Sequence, residues 1–285
     1  MILSSVSTLA KQILIPLGRL LPVKVVEQLG RMSEQNKLAL RLSQLGAVNR
    51  DVTMSLGVGA GLKFNSGQAH PDLALGRYEL ALQQTFGEYL KPGDIFYDIG
   101  ANVGFFTIIG AKLVGEAGTV YAFEPLPNNA ANIRHNIQLN GFNTVTVIEK
   151  AVSEKTAPGK LLVTENVGGN TLSGADSPPD VTGAIAVELI AIDDLISQGQ
   201  IKPPNLIKVD VEGAELDALK GMEQTLRQYR PIVIYEIDDG KQDNFDRKQQ
   251  AVADFLISLN YRIEALEDSY PDGSWLVGHW LALPN

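Results

Sequence analysis

Three short segments concentrate the residues able to do chemistry. The first is Asp98-Ile99-Gly100-Ala101-Asn102-Val103-Gly104, where an apolar run meets a helical stretch. Small residues there let backbone approach a ligand, and the free N–H groups of a helix start can receive a carboxylate. Asp98 adds a negative charge for a cationic group on the same ligand. The second is Glu124, which ends the next apolar run where a doubly wound fold places the acid that takes both ribose hydroxyls. The third is Lys208-Val209-Asp210-Val211-Glu212-Gly213-Ala214-Glu215, a run of charge at the carboxyl end of a buried strand, where ligands bind in open α/β sheets. Simpler roles exist for two of these: Lys208 can neutralise a neighbouring carboxylate, and Glu215 can cap its own helix.

A dinucleotide requires GxGxxG so that the backbone can cradle a pyrophosphate, whereas Gly100 and Gly104 are separated by Ala-Asn-Val. No tyrosine is followed by a lysine four residues later, so the base pair of a short-chain dehydrogenase is missing too. S-adenosylmethionine fits better: its carboxylate, ammonium, sulfonium and ribose match Asp98, Gly100, Ala101, Asn102, Gly104 and Glu124. Methyl transfer needs an aligned acceptor oxygen and a group to take its proton. Asp210 and Glu212 are the catalytic candidates, with Glu79 and His70 behind them. A divalent ion on the Asp210 and Glu212 oxygens is an alternative that ranks second, and no metal is expected.

These residues need a parallel sheet to converge. Ile95–Asp98, Thr119–Phe123, Thr144–Ile148, Leu206–Val209 and Pro231–Glu236 read as strands, joined by helices near Gly104–Leu113, Pro127–Asn140, Glu215–Leu226 and Arg247–Leu259. Tyr261–Glu267 and Trp275–Leu283 flank Pro271-Asp272-Gly273-Ser274, a hairpin signal. The expected fold is α/β: a Rossmann-like, seven-stranded, mostly parallel sheet with a C-terminal antiparallel hairpin and an N-terminal helical extension. The stretch 151–204, rich in Gly and Pro pairs, reads as a strand-and-loop insertion with a short helix near Ile192–Ser197, placed to cover a site. The expected division is 1–75 as helical extension or lid and 76–285 as the catalytic domain, with an insertion at about 157–187.

Composition narrows the function classes. A chain of 285 residues, 45% hydrophobic, can bury a full α/β core. Its net charge of -9 and pI near 4.9 oppose a nucleic-acid partner. With no cysteine, thiolate chemistry is excluded, and the three histidines, His70, His135 and His279, lack metal-ligand spacing and read as surface or structural residues. Met1–Leu21 is interrupted by Lys11, Pro16 and Arg19, too soon for a membrane span, and it has no clear leader-peptide pattern. It reads as a helix packed on the domain, with contact to a membrane surface as the alternative, and a cytoplasmic location is expected. Nothing here fixes an oligomeric state.

The segments Asp98–Gly104, Phe123–Pro125 and Lys208–Glu215 resemble those of the FkbM family of S-adenosylmethionine methyltransferases. The resemblance runs from about Gly76 to Glu236 and includes Gly76-Arg77-Tyr78-Glu79, Asn136, Asn140, Ala151-Val152-Ser153, Leu219-Lys220-Gly221 and Arg230-Pro231. It implies a class I methyltransferase fold and O-methylation of a small-molecule or glycan acceptor: a sugar, glycolipid or natural-product hydroxyl. It also brings Glu79 and Ala151 into the expected cofactor site. N-methylation and noncatalytic cofactor binding are the other readings. The first seventy or so residues and the insertion lie outside the resemblance.

Overall fold

The computed structural model describes residues 18–33, 35–164, 171–172, 181–267 and 275–285. The chain opens with α1 (Val23–Met32), α2 (Lys37–Ala47), a two-stranded ribbon of β1 (Val52–Thr53) and β2 (Lys63–Phe64), α3 (Pro71–Leu75) and α4 (Leu80–Tyr89). Among the described residues, the stretch before Gly76 holds α1, α2, α3 and this ribbon joined by loops, and most of Met1–Leu21 lies outside the described residues. Next come β3 (Ile95–Ile99), α5 (Phe105–Val114), β4 (Thr119–Phe123), α6 (Pro127–Asn140) and β5 (Val145–Ile148). The insertion holds β6 (Ala151–Val152), β7 (Ala157–Thr164), β8 (Thr171–Leu172) and β9 (Val181–Ile190), followed by α7 (Ile192–Ser197). The chain continues with β10 (Leu206–Val209), α8 (Glu215–Lys220), α9 (Glu223–Tyr229), β11 (Ile232–Asp239), α10 (Gln242–Ser258), β12 (Tyr261–Ala265) and β13 (Leu276–Pro284).

Seven strands form one sheet in the order β12-β13-β11-β10-β3-β4-β5. β13 runs antiparallel to both neighbours, while β11, β10, β3, β4 and β5 are mutually parallel. The hairpin partners are thus as expected, although its turn, Pro271-Asp272-Gly273-Ser274, falls outside the described residues. β10 is buried at every position because helices cover both faces, which is why it reads as an unbroken apolar run. Alternate side chains supply two cores. Phe96, Val120, Leu206 and Ile234 pack with α5 and with Val26, Phe64 and Leu75 of the extension. Tyr97, Phe123, Val209 and Tyr235 pack on the other face with Leu219, Leu226 and Leu256. The insertion forms a second sheet in the order β6-β9-β7-β8.

Three expected boundaries are corrected. The single helix over Glu215–Leu226 is broken at Gly221-Met222 into α8 and α9. A Cβ at Gly221 would lie 2.0 Å from the Ser153 carbonyl oxygen. Asp193 of α7 accepts the Gln224 and Thr225 N–H groups, each at 2.9 Å, and so starts α9 from a distant part of the chain. α10 begins at Gln242 rather than near Arg247, because Phe245 in its first turn packs on the Trp280 ring, centroids 5.8 Å apart, a contact made across the chain. β11 runs on to Asp239, three residues past the expected end, because β13 pairs with it up to Asp239 opposite Leu276.

Candidate active site

The turn after β3 owes its shape to contact with β10. Gly100 has φ 81°, and a Cβ there would lie 1.7 Å from the Asp210 carbonyl oxygen, so only glycine allows the two strand ends to meet. Gly100 and Ala101 both donate their N–H groups to the Phe123 carbonyl, each at 3.0 Å, which fixes the turn against the end of β4. Behind it, fully buried Asn136 of α6 accepts the Asn65 N–H at 2.8 Å and donates to the Val103 carbonyl at 2.9 Å. The ribbon and extension thereby brace the turn. Gly104, φ 87°, starts α5 and packs on Ile133.

Glu124 is 5% exposed. One carboxylate oxygen accepts the Asn102 N–H at 2.8 Å and the other the Leu126 N–H at 2.9 Å. A carboxylate has about four lone-pair sites, so both oxygens retain acceptor capacity. Burial pushes the carboxyl up to about 7, against the pull of those two N–H groups. Asp210 lies across the turn, its carboxylate 2.7 Å from the Lys208 ammonium. Lys208 is buried over the Phe106 ring. Burial alone would lower its pKa, but Asp210, Asp98 and Glu236 outweigh burial and hold it above the ordinary lysine value.

Between these groups opens a cleft lined by Gly100, Asn102, Glu124, Ala151, Asp210 and Glu212, among others. Leu161 of β7 and Leu172 of β8 form part of its wall, so the insertion does border the site. Six of the ten expected site residues therefore converge on one cleft. Glu212 sits in a left-handed conformation, φ 54°, and burial, with Asp238 and Asp210 nearby, raises its carboxyl well above the usual range.

The other four do not line the cleft. Ala101 and Gly104 serve the backbone of the turn. Asp98 is buried behind it, accepting the Thr107 hydroxyl at 2.5 Å, while its Oδ1 has no hydrogen-bond partner among the described residues. Burial raises its carboxyl, with Lys208 opposing. Glu79 is buried before α4 in a left-handed conformation, φ 46°, with its carboxylate 3.7 Å from His279 Nε2. Glu215, in the first turn of α8, accepts the N–H of Gly213, which precedes the helix, at 2.8 Å; the helix start carries no side-chain cap.

His70 accepts the Asp72 N–H at 3.3 Å at the start of α3, and exposed His135 contacts Asp51 at 2.8 Å, so neither lines the cleft. His279 is buried, its Nε2 2.7 Å from Glu236. Sequence reading singled out neither His279 nor Glu236 as a site residue. Glu236 stood at the expected end of its strand, the same signal that marked Glu124, whereas His279 falls within a strand and carries no local motif.

A parallel sheet ending in a reversed β13, with a glycine turn after β3 and an acid after β4, defines a class I methyltransferase fold. The family profile described as "Methyltransferase FkbM domain" matches residues 98–263, and the chain belongs to that family. It is 28% identical over 153 residues to hexuronic acid methyltransferase AglP of Haloferax volcanii, covering 54% of this chain and 59% of AglP. The match thus spans less than two thirds of that relative's length. Against 31-O-demethyl-FK506 methyltransferase FkbM of Streptomyces tacrolimicus it is 29% identical over 179 residues, 54% of this chain and 68% of the other. Against 2-O-methyltransferase NoeI of Sinorhizobium fredii it is 28% identical over 184 residues, 59% and 73% respectively. Among the described residues, no helix is long and apolar enough to cross a membrane.

Proposed function

We propose that the protein transfers the methyl group of S-adenosylmethionine to a hydroxyl of a small-molecule acceptor, a sugar, glycolipid or natural product, with residues 76–285 as the catalytic unit. The observation that carries this reading is the cleft that places Glu124 and Asp210 on either side of the Gly100 turn. Glu124 takes the ribose hydroxyls, and the backbone of Gly100 and Asn102, with Ala151 opposite, lines the nucleoside and methionine portions. Asp98 lends negative charge from behind the turn. The names of two relatives specify methylation at oxygen, and that of a third specifies a hexuronic acid.

The reaction is a displacement at carbon. The acceptor oxygen forms a bond to the methyl carbon as the carbon–sulfur bond breaks, its proton passes to the Asp210 carboxylate, and S-adenosylhomocysteine leaves. Lys208, 2.7 Å from Asp210, fixes that carboxylate's orientation, and Glu212 borders the same end of the cleft. Holding acceptor and methyl in line supplies most of the advantage. The purified protein, incubated with S-adenosylmethionine and a panel of uronic acids, hexosides and polyols, is expected to yield S-adenosylhomocysteine and an acceptor heavier by one CH₂ on oxygen. Methylation on nitrogen, or cofactor binding without turnover on any acceptor, would overturn the reading.

A further inference from the structure

The cleft leaves a second buried polar cluster unused. Glu236 of β11 and His279 of β13 face one another across an antiparallel register pair, and Glu79, just before α4, completes the group. One donor atom from each residue lies within a 4.8 Å span: His279 Nε2 is 2.7 Å from Glu236 and 3.7 Å from Glu79. The side chains of His279 and Glu79 are 2% and 1% exposed, and that of Glu236 is 13% exposed. Despite the close approach, neither ring nitrogen of His279 meets hydrogen-bond geometry with any described residue. Donor atoms roughly 3 Å apart are what metal–ligand bonds of about 2.1 Å produce between neighbouring ligands.

Charge points the same way. A divalent ion with a neutral imidazole brings the three-residue group to neutrality. Two carboxylates with one imidazole form an oxygen-rich donor set that suits Mn²⁺. We propose that Glu79, Glu236 and His279 form a binding site for a divalent cation of the Mn²⁺ kind. Three protein ligands leave coordination positions open. The site itself stands independently of the methyl-transfer reading.

The test is calorimetric titration of the chelator-treated full chain with Mn²⁺, without cofactor or acceptor. One ion per chain is expected, with Glu236→Gln and His279→Gln each weakening binding by at least about 100-fold. No binding to the folded wild type, or equal binding by wild type and both ligand variants, would overturn the site. Should the ligand variants fail to fold, electron spin-echo spectroscopy of Mn²⁺-loaded wild type decides. Nitrogen coupling from one imidazole supports the site, and an all-oxygen shell overturns it. Methyl transfer by a protein that binds no Mn²⁺ would remove this site and leave the proposed function standing.

Discussion

Glu124→Gln isolates what the carboxylate does. The substitution preserves size and removes charge, and the amide offers a single acceptor oxygen where Glu124 now accepts at both, from Asn102 and from Leu126. Hydrogen bonds to a charged group are worth roughly 1.5 to 3 kcal/mol each, so losing the charged ribose contacts should cost about 2 to 4 kcal/mol, or roughly 30- to 1,000-fold in affinity. The carboxyl's displacement to about 7 makes a sharper test. Ribose hydroxyls donate to the ionised form, so wild-type affinity for S-adenosylhomocysteine should weaken about tenfold between pH 8 and pH 6, and the Gln variant should show no such slope. Stability carries the opposite sign. The folded state favours the protonated carboxyl, so the contribution of Glu124 is complete below pH 4.5 and is lost as pH rises through 7, a change of roughly 3 kcal/mol that the variant lacks. Calorimetry at pH 6 and pH 8 measures the first effect, and urea unfolding followed from pH 4 to pH 8 measures the second. Equal affinity in variant and wild type, or the same pH slope in both, would refute the assignment of Glu124 to the ribose.

Two further perturbations probe other parts of the site. Asp210→Asn keeps an oxygen near Lys208 but removes the proton acceptor, so single-turnover methylation should fall by about 10² to 10⁴ while cofactor affinity changes little; near-normal single-turnover chemistry would transfer the role to Glu212. Gly100→Ala places a methyl group on the Asp210 carbonyl at a positive φ, and urea unfolding should show a loss of more than about 3 kcal/mol or outright failure to fold. A variant of ordinary stability would mean that the two strand ends do not need to touch.

What could be read from sequence was whatever has a local cause. β10 announced itself because burial on both faces leaves an unbroken apolar run, and α6 because Pro127 and Gly141 mark its ends. Gly100 and Glu124 were legible because a fixed distance separates a turn from the strand end that follows it. Features made by distant contacts were not legible. Asp193 starts α9 from over thirty residues away, and Gly221 yields to the Ser153 carbonyl, so the helix break has no signature of its own. His279 meets Glu79 and Glu236 only because β13 returns antiparallel beside β11, bringing together residues separated by 43 to 200 positions. Asp98 looked like a ligand contact from its place before the turn. Its burial against Thr107 follows from strand alternation, which turns it toward α5.

The most direct test of the central claim is a crystal structure of the protein with S-adenosylhomocysteine. The account predicts both ribose hydroxyls within about 3.2 Å of the Glu124 carboxylate and the sulfur turned toward Asp210. A ligand bound elsewhere, or one in this cleft with its ribose away from Glu124, would contradict it.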